Sequence, residues 1–155
     1  MESKTLKSAE QKIQIADHLL NTTYSVVREP KLLVSVIDNI FQAFELLITA
    51  TLEHEKKLKN ITTYDDRFEV KMDIFKRKII TKYSLDNKVS EHIIELKNLL
   101  EFHKKTAVEF TKKEKFVITD NDYNLKTISF EEAKKTLEKS KKYFKEICKS
   151  IGDDL

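Results

Sequence analysis

The chain has 155 residues and a net charge of +3, with one glycine, one proline and one cysteine. This length suits a single domain, residues 1–155, that buries a core without disulfide bonds. One glycine excludes phosphate-cradling loops and dinucleotide motifs. The lone cysteine and the absence of an apolar leader segment predict a cytoplasmic protein.

The longest apolar stretch, residues 31–58, predicts a central helix. Its apolar side chains recur at steps of three and four residues, and further apolar residues lie outside that stripe, so several sides of this helix should be covered. Asp38, Glu45 and Glu53 interrupt it at regular intervals, whereas a membrane span requires about 20 uninterrupted apolar residues. We therefore expect no membrane association. The stripe consists of Leu33, Ile37, Ile40, Phe41, Phe44, Leu47, Ile48 and Thr51.

Three further helices are predicted by the same periodicity in residues 3–27, in a segment that starts near Thr63 or Asp65 and ends near 83, and in residues 89–105. Pro30 prevents the first helix from continuing and suits the start of the second. So short a connection predicts an antiparallel hairpin of the first two helices.

The pattern changes after residue 105. Lys115–Thr119 and residues 125–128 are short and rich in β-branched residues, and the polar segment 120–124 between them suits a turn, which predicts a small hairpin or an extended loop. The sequence Ser-x-x-Glu at 129–132 is a capping box that begins a final helix. The predicted fold is mainly α, a four- to five-helix up-down bundle with a short β-hairpin-like excursion before the last helix.

Histidine and cysteine spacing argues against a metal site. The sequence contains no Glu-x-x-His, and no two histidines are closer than eleven residues, so we predict neither metal nor cofactor. His18 and His92 lie off the apolar stripes and should be solvated, and His54 should be half-buried with its polar atoms satisfied. Cys148 follows Ile147 on the last helix and is predicted to pack rather than react.

The positive charge is concentrated in the C-terminal third. Residues 97–149 contain fourteen lysines and nine acidic residues, whereas residues 1–96 are balanced. Lysines next to aromatic residues suit contacts to a nucleic-acid backbone combined with base stacking. Alternatively, Phe110 and Phe116 anchor the excursion while the lysines face water. The candidate nucleic-acid-binding residues are Lys104, Lys105, Lys112, Lys113, Lys115 and Tyr123.

A helical hairpin, a very apolar second helix and a polar motif on a later helix resemble the HEPN superfamily of small helical bundles, many of them homodimeric ribonucleases. Its active members carry Arg, a polar residue and then His. Lys97, Asn98 and His103 occupy these places, with Lys instead of Arg. The resemblance implies that His103 is the general acid or base, Lys97 the stabiliser of phosphate charge and Asn98 the orienting group.

Two hypotheses follow. The first is an HEPN-like RNA-associated protein, either a metal-independent ribonuclease or an inactive RNA-binding relative. The alternative is a non-enzymatic helical interaction module or an antitoxin-like dimeric partner. The expected partners are accordingly RNA, a second copy of the chain, or another protein.

Overall fold

A computed structural model describes residues 4–104, 108–112, 115–119 and 125–151, with the backbone alone for 103–104, 108–112, 115–119 and 125–127. Five helices and three strands are present in these ranges. Two helices each contain one π-helical turn. The elements are α1 (Lys4–His18, the π-turn Leu19–Thr23, Tyr24–Val27), α2 (Lys31–Lys57), α3 (Phe68–Ile74, the π-turn Phe75–Ile80, Thr81–Tyr83), α4 (Lys88–Lys104), β1 (Val108–Lys112), β2 (Lys115–Thr119), β3 (Leu125–Ser129) and α5 (Phe130–Ile151).

Helix α2 is the centre of the bundle. It contacts α1, α3, α4, α5 and the sheet. The predicted stripe is buried apart from Phe41, which is half-buried, and Val36, Ala43 and Leu52 are buried beyond it. Burying each large apolar side chain contributes roughly 1.5–3 kcal/mol, so this helix supplies much of the driving force for folding. The predicted mainly α bundle is confirmed.

Helix α2 is also long and apolar enough to cross a membrane, the only such helix in the described ranges. An 18-residue window in it has a mean hydropathy of 1.6. The expectation that its acidic residues make it too polar for a membrane span is therefore wrong. Half of that window is buried, and the core helix of a soluble protein meets the same criterion. In this structure the apolar surface packs against the other helices.

One connection departs from strict up-down alternation. Residues later in α2 contact residues later in α3. The ring centroids of Phe41 and Phe68 are 5.2 Å apart, and further along both helices Lys71 Nζ donates to Thr49 Oγ1 at 3.1 Å. The two helices therefore run in the same direction. The segment 58–67, which we call the crossover, returns along the bundle and is held there by half-buried Ile61 and Tyr64.

The excursion before α5 is a three-stranded antiparallel sheet in the order β1-β2-β3. The predicted pairing of Lys115–Thr119 with the segment after residue 124 is confirmed, with Phe116 opposite Ile128. The structure adds β1 as a third strand. Ser129 ends β3 and caps α5, because its Oγ accepts from the backbone N–H of Glu132 at 3.1 Å, which is the serine half of the predicted capping box.

A buried carboxylate joins α2 to the end of α3. Glu55 accepts hydrogen bonds from Lys82 Nζ at 3.0 Å, Tyr83 Oη at 2.8 Å and Asn60 Nδ2 at 2.7 Å, and its side chain is 3% exposed. Burial alone would raise the pKa of Glu55, but the hydrogen bonds from Asn60, Lys82 and Tyr83 outweigh it and the pKa is lowered. The ionised form is therefore part of the native structure.

We expect Glu55→Gln to lower the free energy of unfolding at pH 7 by about 1–3 kcal/mol, because the amide cannot accept all three donors. The contribution of ionised Glu55 is present above its ordinary pKa of 4.5 and is lost as the pH falls through the lowered native value. Urea unfolding of both proteins at pH 7 and below pH 4.5 should show the difference narrowing in acid. The exposed Glu53→Gln is the control, and an equal loss from it would contradict this role.

Three helices end without the glycine that this position favours. Arg28, Lys59 and Ser84 have φ values of 55°, 61° and 52°, in the left-handed region. At Lys59, the backbone N–H donates to Lys56 and that of Asn60 to Glu55, which is the Schellman arrangement. A residue with a Cβ pays a steric cost in this conformation, so these positions hold local strain.

Replacing the exposed Ser84 with glycine should raise the free energy of unfolding by roughly 0.5–1 kcal/mol, since glycine adopts the left-handed conformation without steric cost. Thermal and urea unfolding would measure the change. Ser8→Gly, inside the first α-helical segment, should instead destabilise by roughly 0.5 kcal/mol. A loss of stability in Ser84→Gly would contradict the assignment of strain.

Candidate nucleic-acid interface

Lys97 lies on α4 facing the start of α3, and its charge is already compensated. Its Nζ is 2.5 Å from Glu69 Oε1 and 3.3 Å from Glu101 Oε1, and it lies 4.9 Å above the ring of Phe68. The hydrogen bond to Glu69 raises the pKa of Lys97 and lowers the pKa of Glu69. Lys97 and the exposed Asn98 both line a shallow cavity of about 290 Å³. With two carboxylates beside it, Lys97 attracts an incoming phosphate weakly.

His103 and Lys104 are the last two residues of α4, where only the backbone is described. Positions 97 and 103 lie on one continuous helix, which separates them by roughly 9 Å along the axis and 120° around it. Helical geometry therefore does not bring Lys97 and His103 together within one chain. Lys105, Lys113 and Tyr123 lie outside the described residues.

Two of the predicted nucleic-acid-binding lysines are brought together by the sheet. Lys112 at the end of β1 is the direct register partner of Lys115 at the start of β2, and Lys115 is in turn the partner of Ser129. We call these two positions the Lys112–Lys115 row. In the register it lies beside Ser129, directly before the first residue of α5.

The exposed side of α5 continues the positive charge. Residues 134–149 contain seven lysines and two glutamates. Lys141 is paired with Asp17 of α1 and lies near Glu138. The other six are exposed, and none has an ion-pair partner among the side chains that the structure describes. We call this set the α5 lysine face: Lys134, Lys135, Lys139, Lys142, Lys145 and Lys149.

The α5 lysine face was not among the candidate residues drawn from the sequence. The signal was visible, since the polar positions between the apolar residues of the last helix are nearly all lysine. The sequence did not show the strand register, which places Lys112 and Lys115 opposite each other and next to the start of the same helix.

The prediction that His92 is solvated is wrong. Its side chain is 4% exposed, and its Nε2 is 2.7 Å from Ser140 Oγ on α5, which is completely buried. The ring lies edge-on to Phe44 and 5.4 Å from the ring of Tyr143. Position 92 is three residues after Val89 on the apolar side of α4, so the periodicity already placed it towards the core.

Burial lowers the pKa of His92 to about 4, and the charge of Lys139 acts in the same direction. The native state therefore holds the imidazole neutral at pH 7. Since the ordinary pKa is 6.5, the unfolded chain binds a proton between pH 6.5 and 4 while the native state does not. The contribution of neutral His92 to the free energy of unfolding is thus fully present above pH 6.5 and is lost as the pH falls to 4.

We expect the free energy of unfolding to fall by about 1–3 kcal/mol between pH 7 and pH 4 on account of His92. His92→Gln retains an amide partner for Ser140 but cannot titrate, so its unfolding free energy should fall less over this range. Urea unfolding at pH 7, 6, 5 and 4 would measure the slopes. His18→Gln, at an exposed position, should keep the wild-type slope; equal slopes in all three proteins would contradict this account.

The remaining candidates for chemistry have structural roles. Cys148 is half-buried against the core, and burial raises the pKa of its thiol to about 11, so the reactive thiolate is scarce at pH 7. His54 is half-buried as predicted. Its Nε2 is buried without a hydrogen-bond partner in the described part of the chain, so the prediction that its polar atoms are hydrogen-bonded is wrong. Within the described ranges, no three His, Cys, Asp or Glu side chains are grouped as metal ligands.

Comparison of the chain with protein-family models, with curated proteins and with solved structures found no match. The resemblance to the HEPN superfamily therefore stays a prediction. The charges and contacts of the chain itself are what indicate its function.

Lys97→Gln should lower the free energy of unfolding by about 0.5–1 kcal/mol, because it removes a partly exposed ion pair and a cation–π contact. The same variant should bind single-stranded RNA as tightly as the wild type, since Glu69 and Glu101 already neutralise Lys97. Urea unfolding and an RNA gel shift would be measured on the same preparations. A large loss of RNA binding without loss of stability would instead assign Lys97 to the interface.

Proposed function

We propose that the protein is a helical bundle that binds RNA through its basic C-terminal third without cleaving it. The observation that carries the proposal is the α5 lysine face, six exposed lysines without an ion-pair partner among the side chains that the structure describes. The Lys112–Lys115 row adjoins Ser129, and the α5 lysine face begins five residues after Ser129. Cations without carboxylate partners release counterions from a nucleic-acid backbone when they bind it.

Binding without catalysis is favoured by the surroundings of Lys97. Phosphoryl-ester cleavage requires a positive group free to stabilise developing charge, together with a proton-transfer group within reach of the same phosphate. Lys97 is engaged by two carboxylates. Its position on α4 also diverges from that of His103, so cleavage would require residues of a second protomer.

We expect the triple variant Lys135→Gln, Lys142→Gln and Lys149→Gln to bind single-stranded RNA at least about tenfold more weakly at low salt, with a shallower salt dependence. These positions are seven residues apart and so form one stripe of α5. Gel shifts at several salt concentrations would measure both quantities. The control is the triple variant Lys4→Gln, Lys31→Gln and Lys56→Gln, which removes the same amount of charge from exposed positions on α1 and α2.

Two results would contradict the proposal. The first is no gel shift by the wild type at micromolar protein and low salt. The second is equal weakening by the control, which would indicate net charge rather than a defined face. RNA cleavage that is lost in His103→Ala would overturn the non-catalytic part and favour the nuclease hypothesis.

A second candidate function, protein interaction, is favoured by exposed apolar side chains of α1. Ile15 is 43% exposed, and Val26 and Val27 at the end of the helix are 80% and 60% exposed. Val26 and Val27 are adjacent in the chain, and adjoining exposed apolar groups mark association surfaces. Sedimentation of the wild type and of Ile15→Lys/Val26→Lys would test this: a wild-type dimer that dissociates in the variant supports it, and a wild-type monomer contradicts it.

A further inference from the structure

A cavity of about 320 Å³ lies between the crossover and α3, and none of its lining residues belongs to the α5 lysine face. Three cationic side chains line it: Lys59 from the crossover, and Arg77 and Lys78 from the π-helical turn of α3. Lys59 and Lys78 have no ion-pair partner among the side chains that the structure describes. Two uncompensated ammonium groups at one small cavity create a local positive potential.

Three acidic residues near the cavity, Asp65, Asp66 and Asp73, each have a cationic partner. Glu53 instead accepts from Thr5 Oγ1 at 3.3 Å. Burial raises the pKa of Tyr64, and the charge of Glu53 acts in the same direction. Asp73 accepts from Nε and Nη2 of Arg77 at 2.9 Å, which leaves the other guanidinium nitrogen available. Asp66 is 2.7 Å from Lys71 Nζ, and Asp65 is 3.1 Å from Arg67 Nε. The charge of Lys59 and Lys78 is therefore left for a ligand.

The remaining walls divide into a polar and an apolar part. The exposed hydroxyls of Thr62 and Thr63 line the cavity and have no hydrogen-bond partner in the described part of the chain. Ile61, Tyr64 and Ile74 line it as well and are half-buried. Hydroxyl and ammonium donors suit the oxygens of a phosphate group, and an aromatic and two aliphatic walls suit an organic body.

Two backbone features set these side chains in place. Lys59 holds a left-handed conformation that glycine would adopt without strain, and side chains kept under such strain cluster at functional sites. The π-turn Phe75–Ile80 shifts the helical register at Arg77 and Lys78, and π-bulges are frequent at functional sites. A cavity of this volume holds a molecule larger than a phosphate ion.

We propose that this crossover cavity binds a phosphomonoester with an apolar or aromatic body, of the size of a mononucleotide. Lys59 and Lys78 bind the phosphate dianion, Arg77 and the threonine hydroxyls donate to its oxygens, and Tyr64 lies against the organic body. The cavity shares no residue with the RNA face proposed above, so either proposal can fail while the other stands.

The experiment is titration of the full-length protein by calorimetry with adenosine 5′-monophosphate at low salt, with adenosine and inorganic phosphate as comparison ligands. We expect binding of the nucleotide and at least tenfold weaker binding of either comparison ligand. No heat at millimolar nucleotide would overturn the proposal, and so would equal affinity for adenosine.

Two variants assign the binding to this cavity. Lys59→Gly should raise the melting temperature, because it relieves the left-handed strain, and yet weaken nucleotide binding roughly tenfold. Ser84→Gly should raise the melting temperature and leave binding unchanged. Lys78→Gln should weaken binding to a similar extent, while Lys76→Gln, on the same helix but outside the cavity, should not. Wild-type affinity in both Lys59→Gly and Lys78→Gln would place the ligand elsewhere and overturn the proposal.

A competition arm distinguishes the sources of the phosphate group. Displacement of the nucleotide by short RNA with a 5′-phosphate but not with a 5′-hydroxyl would identify an RNA end as the occupant. Failure of both RNAs to displace it would identify a free mononucleotide. Either result, with the variant pattern above, supports a phosphomonoester site; displacement by the 5′-hydroxyl RNA alone would contradict it.

Discussion

The structure depends on the burial of α2. A helix that is apolar on several sides cannot be covered by one partner, so α1, α3, α4 and α5 all pack against it. Its apolar faces account for most of the large buried side chains, among them Phe44, Leu47 and Ile48. The charged faces of the surrounding helices are thereby left on the outside, where they are available for binding.

Polar groups decide how the surrounding helices dock on this centre. Glu55 joins the end of α2 to the end of α3, and the His92–Ser140 hydrogen bond joins α4 to α5. An apolar surface alone would permit several rotations of a helix about its axis. A buried hydrogen bond permits a single rotation of the helix, because leaving a buried polar group unpaired costs about 1–3 kcal/mol. Both contacts therefore give the bundle specificity as well as stability, and both make it sensitive to acid.

The scarcity of glycine affects both stability and binding. Three helices end in left-handed residues other than glycine, and one of these, Lys59, lines the crossover cavity. A chain selected only for stability would favour glycine there. The loss of stability at Lys59 is understandable if its side chain binds a ligand, whereas Ser84 offers the same strain without a cavity among the residues described.

Local sequence by itself determined the five helices, the helix cap at Ser129 and the pairing of β2 with β3, because these follow from periodicity and from contacts between near neighbours. Only the tertiary structure decided the parallel course of α2 and α3, since a polar segment such as 58–67 can reverse the chain or carry it back along the bundle. Burial of His92 and the pairing of Lys97 with Glu69 and Glu101 depend on which helices become neighbours. Local patterns report which side of a helix is apolar, but the charges that face one another across helices are set by packing.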